Sequence, residues 1–286
     1  MGARYEMDYL LLVLSASING TKSVFAKIGN KYIDESQNIY TYNFYMFLTA
    51  LITSLAVGLP AFNGLSLTTA LIGFFYGVFL YFGQFFLIKA INEGSTSIST
   101  LFYSCGFLGP TIFSVFAYDE SISSFQIFGI ALILLSFFIT VDGKQKTTGK
   151  WFVYVFSALL CNAATSISQK IFAMSEFKSQ QSGFMIVLFL TGTVIALLFA
   201  QKKLTLPSPP FLRTSFCSGL ALGSLNMLNV FLAKILPGSI VFPCVNSGGI
   251  VFSAILAGIV LKEKLSIKKI IGIAIGIVAI FIIALL

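Results

Sequence analysis

The chain has 286 residues, of which 57% are hydrophobic and only 10% charged, with a net charge of +8 and no histidine. A soluble domain carries about 25% charged residues, so soluble domains in a chain of this length could not hide so much apolar surface, and lipid must act as solvent. The basic residues are dispersed over short connections and helix ends, which gives no nucleic-acid face, and the four cysteines (Cys105, Cys161, Cys217, Cys244) all fall in apolar segments, which argues against a disulfide framework or a structural zinc site.

A helix needs about 20 apolar residues to cross the hydrocarbon core. Ten segments meet that ruler: 8–28, 38–59, 68–91, 95–117, 125–141, 151–174, 183–200, 214–236, 239–261 and 267–286. They are long unbroken runs, unlike the alternating ten-residue strands of a β-barrel. The expected fold is therefore an all-α membrane protein with ten transmembrane helices.

The first segment carries Asn19 and Lys22, three residues apart and so on one helix face. A lysine inside the bilayer costs about 2.5–3.5 kcal/mol on insertion scales, which makes Lys22 a functional candidate by default; snorkelling to the interface is the alternative. Arg4, the apolar run from Tyr9 to Leu14 and the small residues Ser15, Ala16 and Ser17 also have the outline of a signal peptide. The same polar pattern returns in the sixth segment, so a retained helix is expected. The second segment opens on Tyr40, Tyr42, Asn43 and Tyr45, an aromatic cluster suited to a ligand or to an interfacial belt. In the third, Tyr81 and Gln84 form an i,i+3 polar face before Lys89, and Tyr103-Ser104 lies midway along the fourth.

In the second half of the chain, the sixth segment brings Asn162, Ser166 and Lys170, and the eighth brings Asn226, Asn229 and Lys234. The ninth carries Asn246 and Ser247, with Pro243 and Gly248-Gly249 able to break the helix and expose carbonyls to a cavity. Amides and hydroxyls at such depth serve either a solute or helix packing.

These polar positions recur at offsets of 142 to 145 residues. Asn19, Ser23, Lys27 and Ile28 match Asn162, Ser166, Lys170 and Ile171; Phe47-Leu48-Thr49 matches Phe189-Leu190-Thr191; Phe86-Leu87 and Lys89 match Phe231-Leu232 and Lys234. The chain thus divides into a first five-helix repeat, 1–143, and a second, 144–286, within one membrane domain. Five is odd, so the second repeat enters the membrane from the opposite side. Inverted repeats place a binding site near the midplane between the halves and permit alternating access. With Lys22 left out, thirteen basic residues lie in or beside the odd-numbered loops against four (Arg4, Lys170, Lys178, Lys234) near the N-terminus or the even loops. The positive-inside rule then puts the odd loops in the cytoplasm and both termini outside.

Two further stretches carry a family resemblance. Gly109-Pro110-Thr111 through Asp119-Glu120-Ser121, then Phe128-Gly129-Ile130-Ala131, is echoed by Pro243 through Leu261-Lys262-Glu263-Lys264-Leu265, then Ile271-Gly272-Ile273-Ala274. A helix, a short turn carrying Glu and a final glycine-containing helix, once per half, resembles the ten-helix EamA-like members of the drug/metabolite transporter superfamily. The resemblance implies a transporter fold and names no substrate. Small multidrug carriers related to this superfamily place a Glu in the first helix for proton exchange and cation binding, whereas the matching stretch here reads Ser17-Ile18-Asn19-Gly20-Thr21. Proton-driven export of a hydrophobic cation is disfavoured.

No Asp or Glu lies in the middle of any of the ten segments. A basic, amide-rich interior suits an anionic or zwitterionic solute, since Lys can pair with a carboxylate or phosphate. The expected function is a secondary carrier for a small polar metabolite, with Asn19, Lys22, Tyr42, Asn43, Tyr81, Gln84, Tyr103, Asn162, Ser166, Asn226, Asn229, Asn246 and Ser247 as candidate binding residues. A channel, a non-transporting scaffold or a multidrug-type exporter is the alternative. An enzyme would need a convergent nucleophile, base or metal cluster, and none is expected. Nor is a cofactor or metal; the expected partners are the solute and the lipid bilayer of the cell membrane, with a monomer compatible with this reading.

Overall fold

The computed structural model describes residues 2–32, 39–94, 96–140, 149–200, 204, 207–260, 262 and 266–285. The expected junction between halves, at 143 and 144, lies outside them. The described residues form α1 (Gly2–Asn30), α2 (Ile39–Gly58), α3 (Leu67–Glu93), α4 (Thr96–Ser104), α5 (Leu108–Tyr118), α6 (Ser124–Thr140), α7 (Gly149–Met174), α8 (Gln181–Ala200), α9 (Pro209–Ile235), α10 (Gly238–Val260) and α11 (Ile267–Leu285). No strand occurs among them.

Among the described residues, nine spans are long and apolar enough to cross a membrane, and α6, whose apolar part is Ser124–Ile139, is a shorter tenth helix. The fourth span, expected as one helix, is instead α4 and α5 joined by a 3₁₀ turn over Cys105–Phe107. Pro110 explains the break. Proline has no N–H for the carbonyl four residues back and its ring crowds that carbonyl, here on Gly106. The ninth span behaves in the opposite way to expectation: α10 runs unbroken through Pro243. That proline is the sixth residue of α10, and the loss of its one bond, to the Ser239 carbonyl, leaves the helix continuous.

Packing follows the repeat. α3 lies on α7 as α9 lies on α1, α10 lies on α1 as α4 and α5 lie on α7, and the repeat-related pairs α2 with α8 and α6 with α11 meet each other directly. Gly58 faces Ser182 while Phe47 faces Gly192, and Gly129 faces Ile283 while Gly276 faces Ser136. Each related pair therefore runs antiparallel, as an inverted repeat requires. The glycines are needed at these crossings, because an added Cβ at Gly192 or Gly129 would overlap the facing side chain.

Two apolar clusters flank the centre. One joins Leu12, Phe107, Ile133, Phe137, Phe242 and Ile283; the other is aromatic, with Tyr42, Phe47, Tyr76, Tyr81, Phe184 and Phe189. Large apolar side chains such as Leu10, Phe116, Phe138 and Phe281 point outward, where lipid is the favourable solvent. Hydroxyls inside the bundle are mostly satisfied locally: Thr49, Thr111, Thr165, Ser168 and Thr193 each donate to the carbonyl four residues back.

Candidate functional site

Between the two halves lies a cavity of about 610 Å³. On α3 its wall is Tyr76, Leu80, Gln84, Leu87, Ile88 and Ile91, one face of the helical repeat. α1 contributes Asn19, Lys22 and Lys27; α2, Tyr42 and Asn43; α4, Tyr103; α7, Asn162, Thr165, Ser166 and Gln169; α9, Asn226 and Asn229; α10, Asn246 and Gly249. At one end the lining residues Ser23, Lys27 and Lys31 are exposed, which makes that end the mouth.

The repeat-related asparagines are equivalent in structure as well as sequence. Asn19 donates from Nδ2 to the Val245 carbonyl at 3.2 Å, and Asn162 donates to the Tyr103 carbonyl at 2.8 Å. A Cβ on Gly249 would overlap the Asn19 amide, and one on Gly106 would stand 2.8 Å from Asn162 Nδ2. Gly106 and Gly249 are 143 residues apart, the same offset as the asparagines, so extending the repeat one step further would have found them. Each asparagine thus ties its helix to the partner wall at the edge of the cavity.

Lys22 is half-buried in the wall and has no ion-pair or hydrogen-bond partner among the described residues. No Asp or Glu is among the described lining residues. Neutral polar groups share the cavity wall: Gln84 Nε2 donates to the Tyr103 hydroxyl at 3.0 Å, Asn246 Nδ2 bonds the Phe242 carbonyl at 2.9 Å, and the Ser15 hydroxyl donates to Asn229 Oδ1. Tyr42 pairs with Ser218 at 2.8 Å, its ring resting against Gly29. Asn43 is fully buried beside the cavity with neither amide atom partnered among the described residues. An orphaned buried amide of this kind costs about 1–3 kcal/mol, so a water or solute group is its natural complement.

Opposite the mouth the two halves are pinned together. Lys170 is 1% exposed, and its Nζ lies 2.5 Å from Glu120 Oε1; Glu120 Oε2 accepts the backbone N–H of Gly238 at 2.7 Å. One carboxylate thus neutralises a buried lysine of α7 and caps the N-terminus of α10, where the helix dipole favours negative charge. Asp119, in the left-handed conformation at φ 51°, ends α5 and turns Glu120 inward. Lys262, 143 residues on, has φ 54°, so the same turn recurs just before Glu263, a residue outside the described set. The charge count treats Lys170 as a loop signal; the packing makes it an interior cation instead.

Two expected site residues are not brought to the cavity. Tyr81 is fully buried among Phe47, Phe82, Phe85 and Phe199, because the step from Leu80 rotates it about 100° off the cavity face. Ser247 is 1% exposed and points toward α6, beside Ile133 and Ser136. Lys89 and Lys234 are also away from the lining: Lys89 lies over the Phe85 ring, and Lys234 bonds Gln181 beside Phe172. Sequence reasoning missed Tyr76, Thr165 and Gln169, although 76, 80 and 84 fall on one helical face that the known Gln84 could have indicated.

The pattern of the EamA-like transporter family matches residues 7–142 and again 149–285. The chain belongs to the EamA-like transporter family. It is accordingly a membrane transporter of the drug/metabolite transporter superfamily, with one family unit per five-helix half. A solved crystal structure shares the fold at a TM-score of 0.73, covering 95% of this chain and 94% of that one at 14% identity. No curated protein matches the sequence.

Proposed function

We propose that this EamA-like protein is a secondary carrier for a small anionic or zwitterionic metabolite, working by alternating access and not as an enzyme. The observation that carries the reading is the pairing of a lysine without a partner among the described residues, Lys22, with a wall of carboxamides and hydroxyls drawn from both halves, in a cavity of about 610 Å³ whose described lining has no carboxylate. A solute carboxylate or phosphate supplies the counter-charge that the described lining does not. The Glu120–Lys170–Gly238 latch holds the far end shut in this state. In an inverted repeat the two halves exchange conformations, so opening the far end means releasing that latch. By the charge count the mouth, with Lys27, Lys31 and Lys269, faces the cytoplasm of the cell, and the carrier sits in the plasma membrane.

Screening metabolites for thermal stabilisation of the purified protein identifies the solute, since a ligand of the native state raises its apparent stability. Proteoliposomes preloaded with that solute should then show saturable counterflow of labelled solute. Linear, non-saturating flux would make the protein a channel, and no flux would make it a scaffold. Orientation has its own test: in a cysteine-free background, Lys31→Cys should react with an impermeant maleimide only after the cytoplasmic face is exposed, and labelling from outside intact cells would reverse the topology.

A further inference from the structure

A second part of the cavity wall is chemically unlike the part around Lys22. Tyr76, Gln169 and Asn226 line it from three different helices, and all are nine-tenths or more buried. The Tyr76 hydroxyl donates to Asn226 Oδ1, while Asn226 Nδ2 is committed to the Leu222 carbonyl at 2.8 Å. Gln169 is left over. Its Oε1 lies at a long 3.5 Å from the Tyr76 hydroxyl, whose one proton is already given to Asn226, and its Nε2 has no partner among the described residues. The neighbouring charge is cancelled, because Lys170, next in sequence, is paired with Glu120. What remains at this end is an amide donor beside phenol and amide acceptors, with no net charge: the complement of a hydroxyl or carboxamide, which both donates and accepts.

Resting on the proposed carrier function, we infer that Tyr76, Gln169 and Asn226 form a neutral subsite that reads an uncharged polar end of the substrate while Lys22 holds its anionic end. The substrate class is thereby a hydroxylated or amidated organic anion, and a zwitterion whose ammonium would have to enter this subsite is excluded. The spacing is suitable. Ser15 on α1 meets Asn229 on the antiparallel α9, so a rise of 1.5 Å per residue sets Lys22 about 6 Å nearer the mouth than Asn226. Neither repeat contains the subsite alone: Gln169 corresponds to Ala26 and Asn226 to Tyr81, which faces away from the cavity.

Three probes that differ only at one end test this: 6-hydroxyhexanoate, hexanoate and 6-aminohexanoate, titrated against the full-length protein in detergent with apparent affinity read from thermal shift. Wild type should bind the hydroxyl probe at least about tenfold tighter than either of the others. Gln169→Leu should bring the hydroxyl-to-methyl ratio down to about one, whereas Lys22→Gln should weaken all three together. Tyr76→Phe is the second variant should Gln169→Leu fail to fold, and it too should erase the hydroxyl preference. Preference for the methyl or ammonium end in wild type overturns the subsite, as does a hydroxyl preference that survives the variants. Equal binding of all three overturns the subsite alone and leaves the anion-carrier reading standing; no binding of any of them overturns both.

Discussion

Lys170 and Lys27 hold the same place in the two repeats, 143 residues apart, and live in opposite surroundings. Lys170 is 1% exposed, locked to Glu120 at the shut end; Lys27 is exposed in the wall of the open mouth. Their local sequences are alike, with Asn, Ser and Lys spaced at 0, 4 and 8 in both helices. The difference is tertiary. Two halves of one design pack so that one end is dry and the other wet, and an identical residue is buried in an ion pair at one and exposed at the other. This asymmetry is what an inverted repeat needs if a central cavity is to open to one side at a time.

The largest expected effect comes from breaking the dry end. Glu120→Gln strands the buried Lys170 ammonium, and loss of one partner from such a pair costs about 3–5 kcal/mol. Thermal unfolding in detergent reads it. Replacing both partners, Glu120→Leu with Lys170→Met, should recover most of that loss, because matched apolar groups avoid the desolvation of two charges. If the single and double variants unfold at the wild-type temperature, the pair does not hold this end.

At the wet end the expected effect falls on solute binding and not on stability. Lys22→Gln should lower affinity for an anionic solute about 10- to 100-fold, the value of one charge-assisted hydrogen bond, with an unchanged unfolding temperature. Lys22→Arg, which keeps the charge but replaces a compact ammonium by a planar fork, should fall between the two. Normal binding by Lys22→Gln would make Lys22 a snorkelling residue.

The smallest effect separates the cavity from the aromatic wall behind it. Tyr81→Phe removes a hydroxyl with no partner among the described residues, so stability should change by less than about 1 kcal/mol and counterflow not at all. A marked loss of transport in Tyr81→Phe would return this residue to the binding site.

Much of the fold was legible before any coordinates. Apolar runs of about 20 residues name their own spans, since the bilayer imposes the length, and an offset near 143 pairs Asn19 with Asn162 whatever the packing. Proline alone does not tell a break from a continuous helix: Pro110 follows a 3₁₀ turn whereas α10 runs through Pro243, although each removes one backbone donor. Within the site, polarity alone could not tell Tyr76 from Tyr81. Both are buried tyrosines on α3, and only the rotation of that helix against α2, α7 and α8 sends one hydroxyl to the cavity and the other into phenylalanine.

The sequence by itself determined that the chain spans a membrane, that it is built twice, and that its interior is basic and rich in amides, because burial in lipid and repetition leave their marks residue by residue. Only the tertiary structure decided which of those polar groups meet. The Lys170–Glu120–Gly238 latch joins residues from three parts of the chain, and Gln169 Nε2 meets no acceptor among the described residues. Such outcomes depend on distances between helices far apart in sequence, and no pattern along one helix encodes them.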